Sequence, residues 1–438
     1  MSKKKLTWAI IQPLTGGAYF AGHYAFGQQP EWILSYPGLD KEVLSKDGKS
    51  IGMGNERHFL KYLQDKNMLA PYVQFNHGMF DFPENISITN NEEFGDPKFK
   101  PHTVTCGKEI DLICSVPVCS GLSAANTQAH GKEDDMKNNN LKFLLEYVLN
   151  VIRPKVYLFE NAPGLYTPKG KVVRDYLNLI AEKNGYSVTY VKTDTNQHHN
   201  IQSRPRTFAI FWKWLNGNKM PPPDIGHEYA TKTTITDYLA ECKGLTQNEK
   251  KHELNDITKN LEYKFIKKKF GKNWRKEVKN WRFKSFIIVR GLADEFYEFH
   301  KDDKLKAHYD YCVHKKDIGK GFYDRSFFSL RNEKMPTVYH GNTWSAIHPT
   351  EDRCLTMREY SHLMGMPHDW EYLHNTCSFS SVIGQNVPVK TFEHWIRECK
   401  TVLEDWNKNR VKHPLGLLQN NVYFFDNVKP RLSHYETK

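Results

Sequence analysis

The sequence has no run of about 18 apolar residues, so we expect no membrane-spanning helix. Its eight cysteines include no Cys-x-x-Cys pair, which argues against a zinc ribbon and a disulfide scaffold. A reducing, intracellular compartment is the simplest setting for such cysteines. The apolar stretch at residues 6–13 is too short for a signal peptide and predicts a first strand instead. We also find no internal repeat and no low-complexity segment.

Positive charge is in surplus. The 438 residues carry 62 Lys and Arg against 50 Asp and Glu, a formal net charge of +12. This surplus fits a polyanionic partner, because each phosphate that a protein neutralises releases counterions. Charge alone leaves open whether the partner is a nucleic acid or the surface is merely basic. The length allows two or three domains of about 100–200 residues each.

Apolar, β-rich runs alternate with helical patterns from Leu6 to Ile210. The predicted strands are Trp8–Ile11, Asp111–Cys114, Lys155–Phe159, Ser187–Val191 and Thr207–Phe211, and two predicted helices are Leu141–Ile152 and Lys171–Ala181. Such alternation predicts βαβ units in a doubly wound, mostly parallel α/β sheet. Sheets of this kind bind their ligands at the carboxyl ends of the strands.

The composition changes after Trp214. A Pro-Pro-Pro run stands at residues 221–223, and residues 213 to about 342 are dense in Lys, Trp, Phe and Tyr. Within them, Lys264–Lys276 interleaves cations with aromatic residues. One interpretation is phosphate contact together with base or sugar stacking. The other is a solvated amphipathic helix whose aromatics pack inward, and the segment taken alone favours it.

A cysteine stands where the second predicted strand gives way to a proline turn. The segment Ser115–Ser123 carries Cys119, with Gly121 two residues later, at what we expect to be the carboxyl edge of the sheet. The polar residues 124–140 have the composition of a loop that closes over a substrate. The alternative is a buried cysteine in a loop, which is the commoner fate of a lone cysteine.

Two further segments place polar side chains at strand ends. Glu160 and Asn161 follow an apolar strand directly, and a glutamate in that position can be desolvated and can carry a proton. Arg204 and Arg206 stand two residues apart before the next strand and so face one side. Their guanidinium groups could orient the glutamate and contact a substrate oxygen. Either segment could instead be scaffold.

The joint order of these segments resembles the catalytic series of the C5-cytosine DNA methyltransferases. Pro117–Ser123 is followed by Glu160–Leu165 and then by Gln202–Arg206, as in that family. The resemblance continues in residues 353–359 and 384–389. It implies a class I, Rossmann-like methyltransferase fold that uses S-adenosylmethionine (SAM), of the bacterial or phage restriction-modification type.

The resemblance also implies a role for each catalytic side chain. Cys119 would attack C6 of cytosine as a thiolate, which activates C5 for methylation. Glu160 would hold or protonate N3, and Asn161 would fix the base and the cysteine loop. Arg206 would contact O2 and steady Glu160, with Arg204 in support. Since C5 and C6 are inaccessible inside a duplex, the target base must be flipped out.

A cofactor set follows from the same resemblance. Glu56 would bind the ribose hydroxyls, Arg57 would stack on adenine, and Asp81 would bind the adenine amino group. The full expected set is Leu14, Gly16, Gly17, Glu56, Arg57, Asp81, Phe82, Pro117, Gln385, Asn386 and Val387.

The chain departs from the family pattern near the cofactor. Leu14 replaces a phenylalanine, Ala18 a glycine and Gln385 an asparagine. Beside the nucleophile, Val118 replaces a proline and Ser120 a frequent glutamine. No catalytic group is deleted, but these departures leave open a modified cofactor or reduced activity.

We expect residues 1–212 and 346–400 to form the catalytic domain, residues 213–345 a smaller target-recognition domain, and residues 401–438 a tail. The resemblance implies duplex DNA as partner, and the expected DNA-contacting residues are Ser123, Gln202, Lys267, Lys268, Lys269 and Arg275. We further expect a cytoplasmic monomer in a bacterial, phage or viral setting, where a cognate restriction enzyme could accompany it.

Two alternatives remain. One is a tRNA cytosine-5 methyltransferase of the same fold, although the Cys-Phe-Thr of its best-known branch is absent from the divergent region. The other is a catalytically silent DNA-binding relative, against which the retention of Cys119, Glu160, Arg204 and Arg206 argues. The target DNA sequence cannot be read from the chain.

Overall fold

The computed structural model describes the residues that fix the fold. These are residues 5–35, 55–76, 86–87, 109–117, 119, 121–123, 136–214, 234–242, 256–279, 281–320, 324, 326–330, 335, 345–370, 383–384, 386–407 and 422–426. Within these ranges, none of the helices combines the length and apolar character needed to span a bilayer.

A nine-stranded sheet forms the centre of the molecule. The strands in chain order are β1 (Trp8–Ile11), β2 (Trp32–Ser35), β3 (Tyr72–Asn76), β4 (Ile86–Ser87), β5 (Leu112–Ser115), β6 (Val156–Asn161), β7 (Tyr186–Asp194), β8 (Pro205–Lys213), β9 (Phe328–Ser329), β10 (Ala346–Ile347) and β11 (Val422–Asp426). The central sheet has the order β11-β7-β8-β6-β5-β1-β2-β3-β4, and β9 pairs with β10 in a second, small sheet.

The central sheet is mostly parallel, as the sequence predicts. Parallel pairs join β1 to β2 and β5, β2 to β3, β5 to β6, and β7 to β11. Antiparallel pairs join β3 to β4, and β8 to both β6 and β7. The chain moves outward from β1 through β2 to β3 and resumes at β5 on the other side of β1. The strand order therefore reverses between β1 and β5, where open α/β sheets bind their ligands.

Helices connect the strands and build a separate helical region. In chain order they are α1 (Gly17–Phe26), α2 (Asn55–Asp65), α3 (Met136–Tyr147), α4 (Lys171–Lys183), α5 (Ile235–Ala240), α6 (Leu261–Phe270), α7 (Trp274–Val278), α8 (Phe283–Val289), α9 (Ala293–His300), α10 (Asp303–Asp317), α11 (Met357–Leu363) and α12 (Val389–Asn407).

Both faces of the sheet are buried, which explains the continuous apolar runs of its strands. Trp8 and Ile10 of β1 belong to a core shared with α1, α2 and α12. Ala9 and Ile11 of the same strand point the other way, into a core shared with α3 and α4. The alternation of side chains along a strand thus divides β1 between two helical layers.

The expected boundary of a tail at residue 400 is wrong. Helix α12 runs across it as one unbroken helix of 19 residues. Beyond it, Val422–Asp426 form β11, which lies parallel to β7 and extends the central sheet. Part of the expected tail is therefore a strand of the central sheet, which covers an edge that β7 would otherwise expose.

Helices α6 to α10, within the expected recognition domain at residues 213–345, form what we call the helical region. They share their own apolar core, which also includes Ile347 and Cys354. Tyr238 of α5 and Met335, on either side of these helices, belong instead to the first core of the catalytic sheet. The bounds of the recognition domain stay a prediction.

Candidate active site

Cys119 stands in a short loop directly after β5, at the carboxyl edge of the sheet. Pro117 before it and Leu122 after it are buried. The Leu122 N–H donates to the Cys119 carbonyl oxygen at 3.0 Å, which closes a tight turn. The cysteine side chain itself is exposed. A substrate can therefore reach the sulfur while the backbone that carries it is held.

Two glycines hold this loop in place. A Cβ on Gly164, in the turn that follows β6, would lie 2.1 Å from the Leu122 carbonyl oxygen. A Cβ on Gly121 would lie 2.3 Å from Oδ1 of Asn138 in α3. Real Cβ atoms do not approach so closely, so both positions require glycine. The Gly164 turn and α3 thus pack directly on the cysteine loop.

Glu160 and Arg206 form an ion pair across two strand ends. Because β6 and β8 are antiparallel, the carboxyl end of β6 meets the amino end of β8. Arg206 Nε lies 2.6 Å from Glu160 Oε1, and the glutamate side chain is only 4% exposed. Within the described part of the chain, Oε1 has no well-aligned hydrogen-bond donor. This oxygen therefore keeps a lone pair for a donor on a substrate.

Arg204 is buried behind this pair. Its Nη2 donates to the Gly384 carbonyl oxygen at 2.9 Å, and its backbone N–H donates to Asp194 Oδ1 at 3.0 Å. Burial, together with the charge of Arg206, lowers the pKa of Arg204 to about 9, and the Glu160 carboxylate opposes this shift. The guanidinium still carries its charge at neutral pH, so it contributes a fixed positive charge beneath the site.

The cysteine shares the electrostatic environment of these three side chains. Desolvation raises the pKa of the Cys119 thiol and the Glu160 carboxylate raises it further, whereas Arg206 and Arg204 lower it. The raised pKa keeps the thiol protonated at neutral pH in the free protein.

Asn161 follows Glu160 at the end of β6 and is fully buried. Its Oδ1 accepts a hydrogen bond from the Ala162 N–H at 2.9 Å. Its Nδ2 has no partner among the described residues, and neither has Oγ1 of Thr207, the residue paired with Asn161 on β8. Buried polar groups without partners are costly, so they mark places where a ligand or water is expected to bond.

A second loop follows β1, next to β5 at the point where the strand order reverses. Leu14 and Gly16 both have positive φ, 52° and 101°. Gly17 begins α1, and its N–H donates to Asn386 Oδ1 at 2.9 Å. A residue from the far end of the chain thus caps the first helix and fixes the loop at residues 14–17.

This loop has no room for larger residues at its glycines. A Cβ on Gly16 would lie 2.3 Å from the Phe59 ring of α2, and a Cβ on Gly17 would lie 2.1 Å from the Val387 carbonyl oxygen. The expected cofactor residues Gly16, Gly17, Asn386 and Val387 therefore meet at one place. Phe59, which was not among the expected cofactor residues, is the side chain that closes it.

Other expected cofactor residues are only partly described. Glu56 and Arg57 lie in the first turn of α2. Asp81, Phe82 and Gln385 lie outside the described residues. Their contacts with a cofactor stay predictions.

Gln202 is not available to DNA, contrary to the prediction. Its side chain is fully buried. Its Nε2 contacts Met364 Sδ at 3.2 Å, and its backbone N–H donates to Asn200 Oδ1 at 2.8 Å. The glutamine thus helps shape the turn before β8. Ser123, by contrast, is half-buried beside the cysteine loop, and its contact with DNA stays a prediction.

Several of the expected DNA-binding cations already have protein partners. Lys267 pairs with Asp352, and Arg275 Nη2 lies 2.7 Å from the same carboxylate. Arg275 also donates to the His348 carbonyl oxygen at 2.8 Å, so it ties α7 to the loop before α11. The contacts of these two residues with DNA stay predictions, and within the protein Asp352 compensates their charges.

The remaining two expected cations differ from each other. Lys269 pairs with Glu295 of α9. The Nζ of Lys268 lies 4.8 Å from the centroid of the Phe299 ring, which is a cation–π contact. Among the described residues, no carboxylate forms an ion pair with Lys268. Of the four predicted cations, Lys268 thus keeps a charge available to a phosphate.

Comparison with known proteins identifies the family. Residues 74–401 match the family model of the C-5 cytosine-specific DNA methylases. The chain belongs to this family. The match confirms the resemblance seen in the order of the motifs.

Individual relatives agree with this assignment. The chain is 22% identical over 286 residues to a candidate type II methyltransferase of Methanocaldococcus jannaschii, M.MjaORF1200P, covering 64% of this chain and 63% of the relative. It is also 22% identical over 285 residues to the type II methyltransferase M1.HphI of Haemophilus parahaemolyticus, covering 64% and 66%. The chain thus spans slightly under two thirds of the length of these relatives.

Solved structures share the fold. A candidate DNA modification methyltransferase encoded within a prophage, from E. coli, superposes with a TM-score of 0.54 at 16% identity, covering 91% of this chain and 99% of that one. The Rossmann-like methyltransferase fold predicted from the sequence is therefore confirmed.

The family's Arg-x-Leu-Thr-x-Arg-Glu block has a structural role here. Thr356 accepts a hydrogen bond from the Glu359 N–H at 3.2 Å, and Glu359 accepts one from the Thr356 N–H at 2.8 Å, a capping box at the start of α11. Arg353 reaches both oxygens of Glu359, each at 2.9 Å. The Thr-x-x-Glu spacing could have revealed this box from the sequence.

Asp194 is a functional candidate that the sequence did not reveal. Its Oδ2 accepts from Ser203 Oγ at 2.8 Å, while its Oδ1 accepts from the backbone of Arg204 and Asn196. It therefore fixes the turn that presents the two arginines. An aspartate at the end of a strand gives no sequence signal for this task, since the contacts depend on how the turn folds back.

The charge on Glu160 gives a pH-dependent prediction. Glu160→Gln removes a negative charge that raises the pKa of the Cys119 thiol, so alkylation by iodoacetamide should begin at lower pH than in the wild type. Arg206→Gln should shift the profile the other way. Mass spectrometry of the Cys119 peptide reports the rate, because the other free cysteines of the described residues are buried. Profiles that shift in the same direction for both variants would contradict this electrostatic account.

Proposed function

We propose that this protein transfers a methyl group from SAM to C5 of cytosine in duplex DNA. The observation that carries the proposal is the meeting of Cys119, Glu160, Arg204 and Arg206 at one sheet edge, next to the loop at residues 14–17. A nucleophile, a carboxylate and two cations around an open cleft suit covalent activation of a base. Family membership supports the same reaction.

The cofactor loop fits the methionine end of SAM. Its glycines let the backbone approach closely, and α1 begins there with its N-terminal amides. Oγ1 of Thr15 is buried in the loop and has no partner among the described residues, so it is free to bond a cofactor group. SAM supplies an electrophilic methyl group. Gly16 and Gly17 would hold it beside the cysteine loop, with Glu56 binding the ribose.

The protein's own residues prepare the base. The Cys119 thiolate attacks C6, forming an S–C6 bond and making C5 nucleophilic. Glu160 holds or donates a proton at N3 as electrons move into the ring, and Arg206 keeps the carboxylate in place while contacting O2. After C5 gains the methyl group, its proton passes to water and the C5=C6 double bond re-forms as the S–C6 bond breaks. The proton held at N3 returns to Glu160, and the thiolate is released for another cycle.

Substrate binding also relieves the high pKa of the thiol. In the free site the Glu160 carboxylate opposes thiolate formation. A cytosine whose 4-amino N–H donates to this carboxylate neutralises part of its charge, so thiolate formation becomes easier when the substrate is present. The enzyme would then keep its cysteine in the less reactive thiol form until a base is in the pocket.

Bisulfite sequencing tests the proposal and gives the target sequence at once. DNA from cells that express the protein should show cytosines protected in one sequence context, and DNA from cells that express Cys119→Ser should show none. A duplex that contains 5-fluorocytosine in that context should form a covalent adduct with the wild type. Protection equal in both cultures, or no adduct, would favour the catalytically silent alternative.

A second assay separates DNA from tRNA. Purified protein with labelled SAM is offered duplex DNA and total tRNA in parallel, and we expect label in DNA. Label in tRNA alone would replace the proposal with its RNA alternative. The names of the type II relatives support a restriction-modification setting, in which a cognate nuclease would cut the unmethylated target.

A further inference from the structure

The cationic residues from Lys264 to Lys279, in α6, in α7 and in the turns beside them, divide into two sets of side chains. Lys267 and Arg275 turn toward Asp352 and are compensated there. The other lysines of the stretch, except the paired Lys269, are exposed, and we refer to them as the outer lysines: Lys264, Lys268, Lys272, Lys276 and Lys279.

The outer lysines lack the partners that nearby acids could offer. Glu262 accepts from Asn260 Nδ2 at 2.8 Å, and Glu277 faces Arg290 at 4.0 Å. Glu295 is paired with Lys269. Among the residues that the structure describes, no carboxylate forms an ion pair with any outer lysine.

The backbone under these lysines is firmly held. Trp274 and Ile266 are buried in the core of the helical region. Tyr263 donates from its hydroxyl to Asp352 Oδ2 at 2.8 Å, and Arg275 reaches the carbonyl oxygens of His348 and Glu351. The cations thus project from a fixed support, so less conformational entropy is lost when they bind a partner.

Like charges this close disfavour each other. Lys264 and Lys268 stand one helical turn apart on α6, about 6 Å along its axis, where two positive charges destabilise a helix slightly. Lys268 is further ordered over the Phe299 ring. Lysines that extend from a fixed backbone, with no carboxylate partner among the described residues, complement a polyanion, because each contact with a phosphate releases counterions.

We propose that the outer lysines contact the phosphate backbone of the duplex DNA substrate, whereas Lys267 and Arg275 lock the helices that present them. This inference rests on the proposed function and names the surface through which the helical region grips the substrate. Contacts to phosphates position a duplex without reading its sequence. The outer lysines therefore supply affinity and register, and specificity comes from other side chains.

Salt dependence of DNA binding tests the proposal. Fluorescence anisotropy with a duplex of about 30 base pairs gives the slope of log affinity against log salt concentration. Replacing all five outer lysines by glutamine should reduce the magnitude of the slope by about 0.9 for each phosphate that the protein no longer neutralises. Lys268→Gln with Lys272→Gln should reduce it by up to about 1.8 and weaken binding at low salt by roughly tenfold or more.

A matched double variant controls for net charge. Lys169→Gln with Lys183→Gln removes the same charge from exposed positions around α4, and it should leave the slope within error. Circular dichroism checks that each variant is folded. The proposal would be overturned if the two double variants had equal slopes. It would also be overturned if the variant with all five outer lysines replaced had the slope of the wild type. A slope change seen with tRNA and not with DNA would also overturn it.

The assignment of the outer lysines and the proposed methyltransferase activity can fail independently of each other. If the wild type methylates duplex DNA and the fivefold variant keeps its slope, only the assignment of this surface fails. If the wild type neither binds nor methylates duplex DNA, both fail. If the slope of the variant falls but the variant still forms the 5-fluorocytosine adduct at saturating concentration, the lysines act in binding and the active site is intact.

Discussion

Cys119→Ser is expected to abolish methyl transfer to DNA, with a rate loss of roughly 10³-fold or more. The serine hydroxyl is far less acidic than a thiol. Among the described charged groups that shift the pKa of Cys119, Glu160 is the only base, so little in the site would activate a hydroxyl. Transfer of label from SAM to duplex DNA measures the rate.

The variant should keep its fold and its ligands. The side chain of Cys119 is exposed, so its replacement removes no core packing. The dissociation constants for SAM and for duplex DNA should stay within about twofold of those of the wild type, because binding of the ground state does not depend on the nucleophile. A variant that retains a tenth of the wild-type rate would exclude covalent catalysis by this residue.

Gly17→Ala should abolish cofactor binding. The added Cβ would lie 2.1 Å from the Val387 carbonyl oxygen and 2.4 Å from Asn386 Oδ1. These atoms must move, which separates α1 from the segment that caps it and opens the loop at residues 14–17. We expect a loss of stability of about 1–3 kcal/mol and no heat of SAM binding in calorimetry.

Gly27→Ala, at the other end of the same helix, provides the control. Its Cβ would meet nothing within 4 Å, but its φ of 67° disfavours alanine. We expect a lower melting temperature without any change in SAM affinity. If both variants bound SAM like the wild type, the loop at residues 14–17 would not be the cofactor site.

The sequence was sufficient to predict five of the nine strands of the central sheet, β1 and β5 to β8, because their signals are local. Each of these strands contains an apolar run, and helices such as Lys171–Lys183 carry clear 3.6-residue periodicity. The five-residue π-helical turn at Val148–Ile152 was predicted as plain helix, since its residues are ordinary helix formers. The place of β11 beside β7 depends on a long-range pairing that no local pattern reveals.

The sequence predicts the reactive side chains of the site, but not the residues that support them. Cys119, Glu160 and Arg206 stand in family order, so their types and spacing indicate the reaction. Asp194 and Phe59 support the site through contacts that form only when distant segments meet. Their residue types are common, so nothing in the sequence distinguishes them.

The cationic stretch shows the limit of reading charge from sequence. Lys267 and Lys268 are adjacent and chemically identical, yet one faces Asp352 and the other lies over Phe299. Adjacent helical residues point about 100° apart, and the direction of the core decides which of them is compensated. The interpretation in which the aromatics pack inward is confirmed. Phosphate contact by the lysines that stay unpaired among the described residues remains a prediction.

The bond from Gly17 to Asn386 has a consequence for the order of folding. It joins residues 369 positions apart, so the first helix of the sheet receives its cap only after most of the chain has been synthesised. Contacts between such distant segments form late, because closing a long loop costs entropy before it gains stability. A growing chain would thus pair Glu160 with Arg206 before it could hold a methyl donor. Arg204 bonds the Gly384 carbonyl oxygen and so, like Gly17, gains its final contact only when the segment at residues 384–386 arrives. Methylation competence would then come as a final step.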